Sequence, residues 1–361
     1  MKKRIFALAI AAVMAVSLVA CGGGSKEETT VAEKTTAAAE ETTAADAEET
    51  TAAAADDELD SSAQLAKLES VKPNKEGFKL GLALGWRDEF GSKLEAAIEA
   101  EAKALGLSVT SVDANSNANT QIGQIQQFAG QGVDAIVTKL VTTDMGKEVL
   151  AAAGDVPVAF VNINPDDDLT GTGSTKVGSN NLEAGSLQGE FLADFFTKKG
   201  VDNVRYVMMQ GTLGLSYTTE RTNGSQDALK AVFPNAEMVY DDTGEYDRAK
   251  AQNKMQTFLG TGKEFDAVIC NNDEMAIGCI VAMEAVGIDP QEVPVVGIDG
   301  TPAGLDSMES GGISMTVYQD AVGQGSTAVR AAVALANGDD VNSNIYVPFI
   351  PITPDNMAEF K

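Results

Sequence analysis

The sequence predicts an α/β protein of two doubly wound lobes, each a mainly parallel sheet with helices on both faces. From Lys79 to the C-terminus, short β-rich runs alternate with stretches whose apolar residues recur at helical spacing. Such alternation favours parallel sheets, because parallel strands are joined by a crossover that is usually a helix. The β-rich runs also fall into two sets, and the roughly 285 residues that carry them are enough for two ordinary domains.

The elements of each lobe follow from apolar runs and helical periodicity. Predicted strands of the first set are Lys79–Leu84, Leu107–Val112, Asp134–Lys139 and Val156–Val161. Those of the second set are Asn203–Met209, Glu237–Tyr240, Asp266–Cys270, Val293–Ile298 and Ile313–Val317. Between the early strands, one helical face carries Leu94, Ala97, Ile98 and Leu105, and another carries Ile122, Ile125 and Phe128. Later helices are predicted near Leu182–Lys198, Glu220–Val232, Asp247–Leu259, Met275–Val286 and Val322–Ala336.

The N-terminus predicts export. Three cations in residues 2–4 precede an apolar run from Ile5 to Val16, and small residues then lead to Cys21. The apolar run is shorter than the roughly 20 residues that a bilayer requires, so residues 1–20 read as a cleaved signal peptide. The ending Leu18-Val19-Ala20-Cys21 resembles the lipobox of bacterial lipoproteins, which implies that Cys21 is lipidated and anchors the protein at the outer face of a membrane. The alternative is an ordinary signal with an incidental cysteine.

Residues 21–76 predict a disordered acidic tether. The segment from Ser25 to about Ser70 is almost entirely Thr, Ala, Glu and Asp and has no aromatic residue. Such a composition cannot bury enough apolar surface to offset the entropy of ordering. Asp56–Glu69 is expected to form a weak helix at most. A flexible chain of this length spans roughly 40 Å.

Composition excludes several classes of function. A net charge of −27 argues against binding to nucleic acid and to an anionic membrane surface. The lipid alone is therefore expected to anchor the protein to the membrane. The chain has no histidine, which removes the commonest general base and the usual zinc sites. Cys270 and Cys279 lie among apolar residues and are expected to be buried, unpaired thiols. We therefore expect no enzyme activity, cofactor or metal, and a monomer.

Polar and aromatic residues follow the predicted strands where each strand ends. In open α/β sheets, ligands bind beyond the carboxyl ends of strands. Planar carboxylate, amide and guanidinium groups hydrogen-bond paired hydroxyls, and aromatic rings pack on C–H faces, so this mixture favours a sugar. The strand-end residues are Trp86, Asp88, Phe90, Asn162, Tyr217, Arg221, Asn272, Asp299 and Gln319.

Several stretches resemble the sugar-binding proteins of the periplasmic-binding-protein type 1 family, nearest its galactose/glucose- and ribose-binding members. The stretches are 132–136, 156–162, 271–278, 297–302 and 347–360, and the resemblance runs from about Phe78 to the C-terminus. It implies two lobes joined by three hinge crossovers, with boundaries at 77–180 plus 320–346 and 181–319 plus 347–361. It also implies that a monosaccharide is bound between the lobes and delivered to the transmembrane subunits of an ABC permease.

The resemblance also assigns roles to residues. Asp88, Asn162, Arg221, Asn272, Asp299 and Gln319 match hydrogen-bonding ligand residues. Phe90 and Tyr246 match the two stacking aromatics, and Trp86 and Tyr217 complete the predicted set. The family's calcium loop is replaced by the short 198–203 stretch, which has too few carboxylates for calcium. Leu215, Tyr217 and Ile163 replace polar residues of the family, so a pentose, a deoxysugar or another polyol is open besides glucose or galactose.

Structural roles compete for some of these residues. Asp299 and Asp273 could each cap a following helix, and we prefer the cap only for Asp273. Arg221 could pair with Glu220 or Asp227 along its own helix. The alternative role of Asn271 is to support the turn, and that of Trp86 is to cover the rim of the cleft. The Asp166-Asp167-Asp168 run predicts a solvated turn.

Two other functions remain open. The same fold could present a bound ligand to a chemoreceptor or sensor kinase, or bind a nucleoside or polyol. The export signal excludes a DNA-binding regulator.

Overall fold

Residues 61–361 are described by the structure, a computed structural model, and they contain two six-stranded sheets. These sheets, with helices on both faces of each, confirm the predicted α/β fold of two doubly wound lobes. The predicted signal peptide, Cys21 and the tether up to residue 60 lie outside the described residues. Within 61–361, no helix is long and apolar enough to cross a membrane.

The first lobe is built on an entirely parallel sheet. Its strands are β1 (Lys79–Leu84), β2 (Ser108–Asp113), β3 (Ala135–Lys139), β4 (Val158–Val161), β5 (Thr175–Gly178) and β11 (Asn344–Tyr346), in the order β11-β5-β4-β3-β1-β2. Helices α1 (Glu89–Ala104) and α9 (Ala321–Asn337) pack on one face, and α2 (Ala118–Gln131) and α3 (Gly146–Ala153) on the other. A short 3-10 turn, Thr143–Met145, precedes α3.

The second lobe repeats this plan. Its strands are β6 (Arg205–Gln210), β7 (Glu237–Thr243), β8 (Ala267–Cys270), β9 (Val295–Asp299), β10 (Ile313–Tyr318) and β12 (Ile350–Ile352), in the order β12-β10-β9-β8-β6-β7. Only β12 is antiparallel to its neighbour. Helices α4 (Asn181–Lys199) and α5 (Ser216–Val232) cover one face, and α6 (Arg248–Leu259), α7 (Asp273–Glu284) and α8 (Pro302–Glu309) cover the other. The 3-10 turn Met357–Glu359 follows β12.

The chain passes between the two sheets three times. It leaves the first sheet between β5 and α4, returns between β10 and α9, and leaves again between β11 and β12. The carboxyl ends of the parallel strands in each lobe lie at one edge of that sheet. Their loops can therefore meet between the lobes.

Close backbone contact between α4 and α5 depends on glycine. A Cβ atom added at Gly185 would lie 2.1 Å from the Arg221 carbonyl oxygen, and one at Gly224 would lie 2.2 Å from that of Leu182. Real Cβ atoms do not come so close, so both positions require glycine. The contact fixes the depth at which α5 carries Arg221.

The structure corrects the predicted end of the tether. Residues 61–68 form a helix, and Leu68 is 2 % exposed in the core of the first lobe. The Ser61 Oγ accepts a hydrogen bond from the Tyr346 N–H at 3.1 Å, and Arg330 donates to the Leu68 carbonyl. Only a weak helix was expected from the sequence, because the hydrogen-bond partners of the helix lie more than 250 positions later.

Three short strands were not predicted. Strands β5, β11 and β12 have three or four residues each, and polar residues or prolines interrupt their apolar pattern. The thiols of Cys270 and Cys279 are buried, as predicted, with their Sγ atoms 3.9 Å apart.

Candidate functional site

Strand-end loops from both lobes surround one cavity. All ten residues that the sequence singled out for ligand contact line it, together with three others. The thirteen are Trp86, Asp88, Phe90, Lys139, Asn162, Ile163, Asn181, Tyr217, Arg221, Tyr246, Asn272, Asp299 and Gln319.

Asp88 is fixed at the start of α1. It is the N-cap of this helix, accepts hydrogen bonds from the Gly91 N–H and, at 2.9 Å, from the Trp86 indole, and lies 3.5 Å from the Lys139 Nζ. Burial raises the pKa of Asp88, but Lys139 and the two hydrogen bonds outweigh burial and lower the pKa below its ordinary value. Asp88 is therefore an ionised, pre-oriented acceptor.

Lys139 is a cavity residue that the sequence analysis missed. Its side chain is only 2 % exposed, and its ammonium lies 4.3 Å from the Trp86 ring centroid, a cation–π contact. Apart from the contact with Asp88, its Nζ makes no hydrogen bond or ion pair with the described residues. Lys139 could have been identified from the sequence, because it lies at the carboxyl end of a predicted strand, where ligands bind.

Asn162 enters from the end of β4 in a left-handed conformation, with a φ of 64°. This region favours Asn over most other residues. Its Nδ2 donates to the Gln324 Oε1 at 3.2 Å, and Gln324 donates in turn to the Ser179 hydroxyl at 2.8 Å. The chain after β4 is therefore tied to α9 and to the first crossover between the lobes.

Arg221 holds together the part of the cavity wall that the second lobe provides. It donates to the Asn181 Oδ1 at 2.9 Å, to the Asn271 carbonyl at 2.9 Å and to the Gln319 Oε1 at 3.2 Å. Arg221 does not hydrogen-bond Glu220 or Asp227 of its own helix, which was the competing possibility. Asn181 was missed because it follows β5, which was not predicted.

Asp299 is a buried carboxylate without a hydrogen bond to any described residue. Its nearest cation is the Arg221 guanidinium at 3.9 Å, and its side chain is 10 % exposed. Burial raises the pKa of Asp299 well above the ordinary value, Arg221 opposes the shift, and Asp273 and Asp88 add to it. Its φ of 123° is an unusual conformation for a residue other than glycine. It does not cap α8, because Thr301 does.

The structure corrects the preferred role of Asp273. Asn272, not Asp273, is the N-cap of α7, with its Oδ1 accepting from the Met275 N–H at 3.0 Å. The buried Asp273 carboxylate instead accepts from the Thr316 hydroxyl at 2.6 Å and the Thr301 N–H at 2.9 Å. It thereby holds the turn that carries Asp299.

Asn271 lies behind the cavity. Its Oδ1 accepts from the Gly211 N–H at 3.0 Å and from the Thr222 hydroxyl at 3.2 Å, so it serves the turn. The three consecutive aspartates also have separate partners. Asp166 accepts from Thr143, Asp167 pairs with Lys147, and Asp168 accepts from Thr170.

Aromatic rings form the apolar part of the wall. Tyr217 and Tyr246 stack with ring centroids 5.6 Å apart, and the Tyr246 hydroxyl shares a 2.7 Å hydrogen bond with Thr218. Burial raises the pKa of Tyr246 to about 12. A Cβ at position 211 would lie 2.0 Å from this ring, so Gly211 makes room for it. Phe90 enters from the first lobe.

The charges that line the cavity balance. Asp88 and Asp299 are its only lining carboxylates among the described residues, and Lys139 and Arg221 are its only lining cations. A charged ligand would leave one of these buried charges facing a like charge, which is costly at low dielectric. The arrangement favours a neutral molecule with several hydroxyl groups and an apolar face.

Comparisons with known proteins agree on one family. A family model described as a periplasmic binding protein domain matches residues 84–340. A protein of Rhizobium meliloti named as rhizopine-binding is 37 % identical over 303 residues, covering 82 % of this chain and 96 % of its own. A xylitol-binding protein of Mycolicibacterium smegmatis is 30 % identical over 288 residues and 79 % of each chain. An ABC transporter solute-binding protein from Bacillus halodurans, solved with bound myo-inositol, has a TM-score of 0.74 at 33 % identity, over 80 % of this chain and 98 % of that one.

Proposed function

This chain belongs to the periplasmic binding protein family, and we propose that it captures a neutral polyhydroxylated molecule, a monosaccharide or a cyclic polyol, for an ABC importer. The observation that carries the proposal is the cavity between the lobes, with its balanced charges and aromatic walls. The names of the relatives support the ligand class, since they include a xylitol binder and a solute-binding protein with myo-inositol.

Binding would couple the two lobes. The first lobe offers an ammonium, Lys139, with spare donors, and the second offers a carboxylate, Asp299, with spare lone pairs. A ligand hydroxyl donates to a carboxylate and accepts from an ammonium, so one ring can satisfy groups from both lobes. Because these contacts exist only when the lobes are together, the ligand stabilises the closed arrangement.

The proposal extends to the site of action. We infer that a lipid on Cys21 anchors a monomer outside the cytoplasm and that the loaded protein delivers its ligand to transmembrane permease subunits. The lipobox-like sequence and the solute-binding relatives support this. The ligand would be held by hydrogen bonds from Asp88, Asn162, Arg221, Asn272, Asp299 and Gln319, with Phe90 and Tyr246 packing on its faces and Trp86 and Tyr217 completing the wall.

A thermal-shift screen of the purified full chain tests the proposal. The panel contains neutral monosaccharides, xylitol and myo-inositol, nucleosides, and an amino and an acidic derivative of each sugar. A ligand at 100 times its dissociation constant adds about 2.7 kcal/mol to the free energy of unfolding. We expect shifts for neutral polyhydroxylated compounds only. Shifts for nucleosides alone, or larger shifts for charged derivatives, would overturn the proposal.

A further inference from the structure

A second cavity adjoins the first and shares a wall with it. It is the larger of the two. Asn162, Asn181 and Tyr217 line both cavities, so one set of side chains separates them. The far walls come from β5, from β11 and from the chain that follows β4.

The second cavity contains polar groups without partners. The Asn164 Oδ1 is buried and accepts no hydrogen bond from the described residues. The Lys176 ammonium also makes no hydrogen bond or ion pair with the described residues, and burial lowers its pKa. Its nearest carboxylates act on it only through longer-range attraction. A buried oxygen without a donor is costly, and the half-buried Lys176 ammonium has spare donors, so the cavity favours a polar occupant.

Charge limits the kind of occupant. Charges of both signs line the cavity, Lys176 together with Asp166 and Glu220, so an anion would meet two like charges, whereas a hydroxyl group can donate to the carboxylates and accept from the ammonium. Asn164, Asn344 and Ser216 add neutral polar groups that both donate and accept. A neutral group with several hydroxyls meets all of these requirements.

We propose that this second cavity is a subsite for a second hydroxylated unit attached to the ring in the first cavity. The ligand would then be a two-unit molecule, such as a disaccharide or a glycosylated cyclic polyol. Rotation of Asn162 or Asn181 in the shared wall would admit the linkage. The proposal rests on the proposed function, because the first unit must occupy the first cavity.

Titration calorimetry of the purified full chain tests the subsite. The probes are myo-inositol, D-galactose and D-ribose, and the α- and β-galactosides of whichever of these binds most tightly, linked at each of its hydroxyls. We expect at least one galactoside to bind ten times or more tightly than its parent. Lys176→Met and, separately, Asn164→Ala should abolish this gain and leave the affinity for the parent within about twofold.

Lys79→Met is the matched control, since Lys79 is an exposed strand lysine of the same lobe that lines neither cavity. The melting temperature of each ligand-free variant, compared with that of the original protein, shows whether the variant is folded. If no galactoside binds more tightly than its parent, or if both variants weaken parent and galactoside by the same factor, the second subsite is wrong. If none of the single-unit and two-unit compounds binds, the proposed function itself is wrong.

Discussion

Asp299 is the residue on which the proposed function depends most. Burial raises the pKa of Asp299 because its carboxyl group lacks the hydrogen bonds that would offset its loss of hydration, and a ligand hydroxyl would supply one. A similar argument applies in the first lobe to Lys139, whose ammonium has only the Asp88 carboxylate and the Trp86 ring as partners among the described residues. Both residues therefore raise the affinity for the ligand rather than the stability of the ligand-free protein.

Asp299→Asn should separate affinity from stability. A hydrogen bond to a charged group contributes about 1.5–3 kcal/mol, so affinity for the ligand should fall about 10- to 150-fold. The melting temperature of the ligand-free variant should be little changed, because the Asp299 carboxyl group accepts no hydrogen bond from the described residues and lies 3.9 Å from its nearest cation, Arg221. Calorimetry and thermal melting measure the two effects. Asp155→Asn, at an exposed aspartate, should change neither. A variant that loses stability but keeps affinity would assign Asp299 a structural role.

Asp273 should make stability depend on pH. Burial raises its pKa from 3.8 to about 7, opposed by hydrogen bonds from Thr316 and the 300–301 backbone. Between these values the folded protein keeps a proton that the unfolded chain releases. The contribution of Asp273 to the free energy of unfolding therefore falls as pH rises from about 4 to about 7.

Asp273→Asn removes that contribution, and its single amide oxygen can still accept from the Thr301 N–H while its Nδ2 donates to the Thr316 hydroxyl. Urea unfolding at pH 4.5 to 7.5 should show that the stability of the original protein, relative to the variant, decreases as pH rises. A difference that stays constant with pH would mean that Asp273 is ionised throughout.

At the scale of elements, the α4–α5 contact positions the guanidinium of Arg221. Gly185→Ala would place a methyl group against the Arg221 carbonyl and force the helices apart. We expect a loss of about 1–3 kcal/mol in the free energy of unfolding, as for other overpacked sites, and a weaker affinity for ligand. Gly123→Ala, in the open middle of α2, should instead stabilise by up to about 1 kcal/mol. Equal effects of the two substitutions would show that the contact is loose.

The helix at 61–68 should contribute to the stability of the first lobe. Leu68→Ala removes a buried side chain, and such substitutions cost about 2–5 kcal/mol. Leu182→Ala, at a leucine that is 41 % exposed, serves as the control and should cost much less. Urea unfolding measures both. If Leu68→Ala costs no more than the control, the helix is not docked on the lobe in solution.

The sequence predicted long elements better than short ones. Strands such as β1 and β9 are continuous apolar runs, which periodicity detects. Strand β5 contains Lys176 and is four residues long, so it has no such pattern. The helix at 61–68 was expected only as a weak helix, and its docking was not foreseen because tertiary contacts stabilise it rather than its composition.

The site residues were likewise predicted where they follow a recognised strand or match the family pattern, and missed where they do neither. The ten expected residues follow strands that the sequence predicts, or match the family pattern, and all line the cavity. Lys139 was missed because it was counted as the last residue of a strand, and Asn181 because its strand was not recognised. The roles of Asn272 and Asp273 as cap and turn support depend on side-chain directions, which residue order alone does not set.

At the scale of the whole molecule, the three crossovers allow two similar lobes to share one ligand. Each lobe contributes one carboxylate and one cation to the cavity, so neither lobe alone offers a complete site. Ligand capture and lobe closure then become a single equilibrium.

A crystal structure of the protein with its tightest-binding neutral polyol is the most direct test of this account. It predicts a ring in the cavity with one hydroxyl within hydrogen-bond distance of the Asp299 carboxylate and another within reach of Asp88 or Lys139, so that both lobes contact the same molecule. A ligand that contacts only one lobe, or that binds away from this cavity, would contradict it.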